Sequence, residues 1–169
     1  MNEERAPLVW TDRDRRLFRG FMVLTGIGLV LPGLIYLVSW PDTVKAMALV
    51  LGPAASPLVT GGTITALLAG GASFIAARFI RPGSVLATAA LICGSVMHYQ
   101  WSKMMMGRMN LVPEGIPPQQ QKLLEDTILF AANAQMPHII KNVILIGVCI
   151  LFFILAPSVC GRTITRREP

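Results

Sequence analysis

The chain has 169 residues, 53% of them hydrophobic and only 14% charged, with a mean hydropathy of +0.59. That balance is too apolar for an ordinary soluble domain of this length and points to an integral membrane protein. The net charge of +6 does not signal nucleic acid, because the basic residues form no continuous patch interleaved with aromatics and stand instead beside apolar runs, where they report orientation. The three cysteines, Cys93, Cys149 and Cys160, lie in or just after apolar runs without disulfide or CxxC spacing. They read as small apolar residues.

Residues 1–16 mix acids with arginines and form a short amino-terminal segment. The apolar run after them is too long for a signal-peptide core and has no small-residue cleavage pattern, so no cleavage is expected. It makes the first span, residues 17–40, with Arg19 close enough to one interface to snorkel and Tyr36 and Trp40 at the other. Pro32 predicts a kink. Residues 41–57 are too short and too interrupted to cross a bilayer. A brief interfacial helix over 43–51 is expected, the alternative being that this piece and the next are two halves of one broken helix.

Residues 58–77, LVTGGTITALLAGGASFIAA, hold twenty positions without a charge. At about 1.5 Å per residue they reach roughly 30 Å, the thickness of a hydrocarbon core. Gly62, Ala66 and Gly70 recur at i, i+4 and i+8. Lipid offers no hydrophobic force to join helices, so such small residues predict close backbone contact and a central place in the bundle. Arg78, Arg81 and Pro82-Gly83 then predict a tight turn before a third span, residues 84–102. Ala90, Gly94 and His98 share a face of that span, so His98 projects from the side suited to close packing.

Residues 103–138 form the sizeable polar loop. It opens with Met104, Met105, Met106 and Met109, four methionines in six positions, soft enough to ligate Cu(I) and equally suited to adaptable apolar contact. Residues 119–135 read as an amphipathic helix, with Leu123, Leu124, Thr127, Ile128 and Ala131 on one face and Gln121, Lys122, Glu125, Asp126 and Asn133 on the other. The apolar face is expected to meet lipid, the bundle or a partner. Pro137 ends this helix, and His138 opens the fourth span, residues 139–156, which leads to a basic tail, residues 161–169.

Lysine and arginine divide unevenly between the two sides. Arg5, Arg13, Arg15, Arg16, Arg19, Arg78, Arg81, Arg162, Arg166 and Arg167 fall on one side, against Lys45, Lys103, Arg108, Lys122 and Lys141 on the other. The larger set belongs in the cytoplasm. The expected fold is thus an all-α integral membrane protein, a four-transmembrane-helix bundle spanning residues 17–160, with an interfacial segment and an outward amphipathic helix. Both termini are expected on the cytoplasmic side of a bacterial inner membrane.

No Gly-x-Ser-x-Gly, HExxH or phosphate-cradling loop occurs, and the spans hold no acidic residue. Hydrolysis and cation-coupled transport are therefore not expected of this chain alone. What remains is a non-catalytic subunit of a larger assembly, of the secretion, conjugation or respiratory type, whose partners are other membrane subunits and lipid, and which needs no cofactor. Two alternatives come from different classes. His98 and His138, the only histidines, could hold haem b or, with Met104, Met105 and Met106, copper. Self-associated copies could instead form a small channel or holin-like pore.

Overall fold

The structure, a computed structural model, describes residues 10–113 and 115–160. Arg5 and the basic tail, residues 161–169, lie outside the described residues. Those described are helical with no strand: α1 (Asp12–Val38), α2 (Trp40–Leu51), α3 (Ser56–Ile75), α4 (Ile80–Gly107), a 3-10 turn (Arg108–Leu111), α5 (Pro118–Asn133) and α6 (Met136–Cys160). Four segments, built on α1, α3, α4 and α6, are long and apolar enough to cross a membrane. Capping residues and prolines set several helix starts. Thr11 caps α1 by accepting from the Asp14 N–H at 3.2 Å, while the Asp14 carboxylate accepts from the Thr11 N–H at 3.1 Å. This reciprocal pair satisfies two of the donors that a helix start leaves open, and it begins α1 ahead of the apolar run. Pro41, Pro57 and Pro137 each lie in the first turn of their helices, where a missing N–H costs no hydrogen bond.

The long helices stand side by side in the order α1, α3, α4, α6. Two adjacent glycines on α3 set this order. Successive helical residues point about 100° apart, so Gly70 and Gly71 face different neighbours. A β-carbon on Gly71 would come within 2.7 Å of the Gly26 carbonyl oxygen on α1, and one on Gly26 within 2.6 Å of the Gly71 carbonyl oxygen. On the other side, a β-carbon on Gly70 would meet the Gly83 carbonyl oxygen and Ala87 of α4, both at 3.0 Å. Ser73 fills the space beside Gly83. Both neighbours therefore approach α3 backbone to backbone, the mode of association open to helices in lipid.

One end of the bundle, the near end, holds the start of α1, the end of α3, the start of α4 and the later part of α6. Phe152 of α6 closes it. Its ring meets Phe18 and Phe21 of α1 and Phe74 of α3 edge-on, at centroid distances of 5.3, 5.6 and 5.0 Å, the arrangement that brings a positive ring edge to a negative face. At the opposite, far end lie α2 and α5. No residue of α2 is fully buried. It leans on α3 and α4, with the Trp40 ring 3.4 Å from where a Gly61 β-carbon would stand.

Several expectations are corrected by these positions. Gly62 is exposed with open space around it, so the i, i+4, i+8 stripe does not pack as a unit. Gly70 alone of its two glycines makes a helix contact, and Ala66 is half-buried against the core. Pro82 and Gly83 do not form the turn between α3 and α4. They belong to the first turn of α4, and the chain reverses instead at Ala77 and Phe79, whose φ angles of 51° and 54° are left-handed. The short helix expected over 43–51 falls within α2, which a turn with Gly52 at φ 82° separates from α3. Met104, Met105 and Met106 lie in the last turn of α4 rather than in a loop. Pro137 does not end the amphipathic helix, which stops at Asn133, but sits in the first turn of α6.

Substitution separates packing glycines from idle ones. Gly26→Leu and Gly71→Leu are expected to destabilise the detergent-solubilised protein by about 2 kcal/mol or more, since a buried side chain is forced against backbone. Gly62→Leu should leave the unfolding midpoint unchanged within error. Equal losses for all three would show that α1 and α3 do not meet at these glycines.

Candidate functional site

Away from the phenylalanines, the far half of the bundle is incompletely filled. Two cavities occupy it. The larger, of about 330 Å³, lies among Tyr36 of α1, Thr43, Ala46 and Met47 of α2, Thr60, Thr63 and Ile64 of α3, Gly94, Met97, His98 and Trp101 of α4, and Gln135. The smaller, of about 40 Å³, lies among α1, α3, α4 and α6. Tyr36, Thr63, Gly94 and His98 border both, so the two meet along one wall. Neither cavity has a carboxylate in its wall, and the one cation bordering them, Lys141, lies at the smaller.

His98 is held from two directions. The Gln135 amide nitrogen donates to the Ala131 carbonyl at 3.3 Å, which leaves the Gln135 oxygen free to accept from His98 Nδ1 at 2.8 Å. A neutral imidazole carries one N–H. With that proton on Nδ1, Nε2 is left as an acceptor. From the other side the His138 ring stacks on His98, with centroids 4.8 Å apart and planes 9° from parallel. The pairing arises because the two helices run side by side and Gln135, in the short connection before α6, reaches back to α4. His98 is half-buried and His138 exposed.

Buried polar groups stand in the walls. The Thr60 hydroxyl is buried and has no hydrogen-bond partner among the described residues, although Thr60 itself is only 1% exposed. Asn142 of α6 is 6% exposed and borders the smaller cavity. Its Nδ2 lies 3.2 Å from where a Gly94 β-carbon would stand, so Gly94 makes room for an α6 side chain rather than for the α6 backbone. Pro32, inside α1, cannot donate to the Gly28 carbonyl one turn earlier, and both residues line the smaller cavity. A buried polar group left unpaired costs about 1–3 kcal/mol.

The residues singled out in the sequence thus separate into groups. His98 and His138 are brought together, and Gly94 and Ala90 line the smaller cavity along with His98. Axial ligation of haem iron by both rings would need them to face each other across the metal, whereas here their flat faces stack. Met104 and Met105 are half-buried and Met106 exposed, beyond Trp101 on α4. Among the described residues no three or more histidine, cysteine, aspartate or glutamate side chains cluster so as to hold a metal ion. On α5, Leu123, Leu124 and Thr127 are exposed and Ile128 and Ala131 half-buried. Thr60, Gln135 and Asn142 were not legible as site residues singly, but the spacing of His138 and Asn142 at i, i+4 in an apolar span is a signal that the sequence did carry.

No family model, curated protein or solved structure matches the chain.

The clamp on His98 can be measured as a coupling. Replacing His98 and Gln135 by alanine singly and together is expected to reveal an interaction of about 0.5–1.5 kcal/mol in detergent unfolding. Strict additivity would mean that the hydrogen bond does not hold the ring in solution.

Proposed function

We propose that the chain is a non-catalytic subunit of a larger assembly in a bacterial inner membrane, with α5 as the docking element for its partner. The observation that carries this reading is the uncovered face of α5. That helix rests on α4 along one edge and buries Ala132 there, while Leu123 and Phe130 remain 69% and 77% exposed. Residues seven apart share a helix face, so the two form one apolar strip on a helix whose remaining surface is rich in glutamine and charge. Large apolar side chains at the fully buried centre of an interface are the ones whose loss costs most. The sequence-predicted strip of Leu123, Leu124, Thr127, Ile128 and Ala131 overlaps this face and omits Phe130.

The arginines favour an orientation. Arg13, Arg15, Arg16, Arg19, Arg78 and Arg81 gather at the near end, whereas Lys45, Lys103, Arg108, Lys122 and Lys141 belong to the far end. The positive-inside rule then puts the near end in the cytoplasm, with both termini, and α5 on the outer side. The lack of an acidic residue or a nucleophile with an adjacent base at the two cavities favours a binding role over a catalytic one.

Purification of the tagged chain from native membranes in mild detergent tests the proposal. It should bring a stoichiometric membrane partner, and Leu123→Glu with Phe130→Glu should reduce that partner by about tenfold or more while the chain itself stays monodisperse. A wild-type chain that purifies alone would overturn the subunit reading, and a large particle made only of this chain would favour the pore. For orientation, a thiol at Gln120 should react with an impermeant maleimide in intact cells and one at Phe79 should not. The reverse pattern would invert the topology.

A further inference from the structure

We infer that the far-end chamber is a binding site for a neutral, lipid-soluble ring compound bearing hydrogen-bonding oxygens, of the quinone and quinol class. The chamber carries this independently of the docking role of α5. Ligand pockets run from about 300 to 1,000 Å³, and the larger cavity, at about 330 Å³, sits at the lower end of that range. It has room for a single substituted ring and the start of a tail, and a rigid fused polycycle would exceed it.

The wall chemistry selects against charge. No lysine, arginine, aspartate or glutamate borders the larger cavity, so an anion or cation would lose its hydration there without a counter-ion. Flat and polarisable side chains are present instead: Tyr36, Trp101, Met47 and Met97. Aromatic rings and methionine sulfur make favourable contacts with the face and edge of a bound ring.

The polar groups of the walls can meet the oxygens of such a ring. His98, its Nδ1 committed to Gln135 at 2.8 Å, keeps Nε2 as an acceptor for the hydroxyl of a quinol, whereas the carbonyl oxygens of a quinone would accept from the donors that follow. On α3, the Thr60 hydroxyl is a donor buried without a partner among the described residues. Asn142, 6% exposed, supplies an amide at the joined smaller cavity. Unpaired buried donors destabilise an empty protein and become favourable when a ligand meets them, which makes the cost of leaving them open understandable in a binding site. The stacked His138 ring fixes the plane of His98 and reduces the ordering that binding would otherwise require.

The test measures binding of radiolabelled decylubiquinone to the full chain in phosphatidylcholine nanodiscs, with counts from protein-free nanodiscs subtracted. Saturable binding of one molecule per chain is expected. Thr60→Val and Asn142→Leu should each weaken it by about tenfold, and Thr60→Val, which removes an unpaired polar group, should not lower the thermal midpoint of the ligand-free protein. Ala46→Phe, which fills the chamber from α2, should abolish binding. Three results would overturn the inference: no saturable binding above protein-free nanodiscs, binding unchanged in all three variants, or displacement by dodecane as effective as displacement by unlabelled quinone, which would make the chamber a site for an acyl chain.

Discussion

The close approach of α3 to its two neighbours is the constraint on which the rest of the architecture depends. Gly70 and Gly71 are consecutive, so one turn of α3 presents bare backbone in two directions at once, to Gly83 and Ala87 of α4 and to Gly26 of α1. In lipid, association of helices rests on van der Waals contact and on hydrogen bonds between them. Both improve as backbones approach, and both are lost once a side chain holds them apart. The order α1, α3, α4, α6 follows from this pair of contacts together with the packing of α6 on α4.

What happens to the space beside that seam differs between the two ends. At the near end large aromatic rings are available, and Phe18, Phe21, Phe74 and Phe152 fill it. Toward the far end the corresponding positions carry small or polar side chains, among them Thr60, Thr63, Gly94 and Asn142. They leave volume that α2 roofs without burying any of its own residues fully. The far-end chamber is thus a consequence of composition along the helices. The histidines sit at its edge because α4 carries His98 one turn beyond Gly94, and because the short α5–α6 connection brings Gln135 and His138 alongside.

The four long apolar helices were legible because a soluble domain of this size rarely holds repeated apolar runs of nearly twenty residues. The importance of small residues on α3 was legible too, but not which ones. Helical spacing arranges Gly62, Ala66 and Gly70 on a stripe, yet α3 has neighbours on two sides, and the contacts fall on Gly70 and Gly71 while Gly62 faces open space. A periodicity says which residues share a face and nothing about what lies opposite. The α3–α4 turn was misplaced for a related reason: Pro82-Gly83 is good turn chemistry, but proline also suits the first turn of a helix, and the chain bends at Ala77 and Phe79, which carry no turn signature. His98 and His138 stood out as the only histidines. Their stacking, and the Gln135 bond that holds one of them, depend on the meeting of α4 with the start of α6, a tertiary fact that no local pattern encodes.

The most direct test of this architecture is a carbon–carbon correlation spectrum, by magic-angle-spinning NMR, of the glycine-labelled protein in lipid bilayers. A cross-peak between Gly26 and Gly71 and a second between Gly70 and Gly83 are expected. The absence of both, in a spectrum that resolves Gly70–Gly71 along α3, would contradict the backbone contacts from which the helix order and the far-end chamber follow.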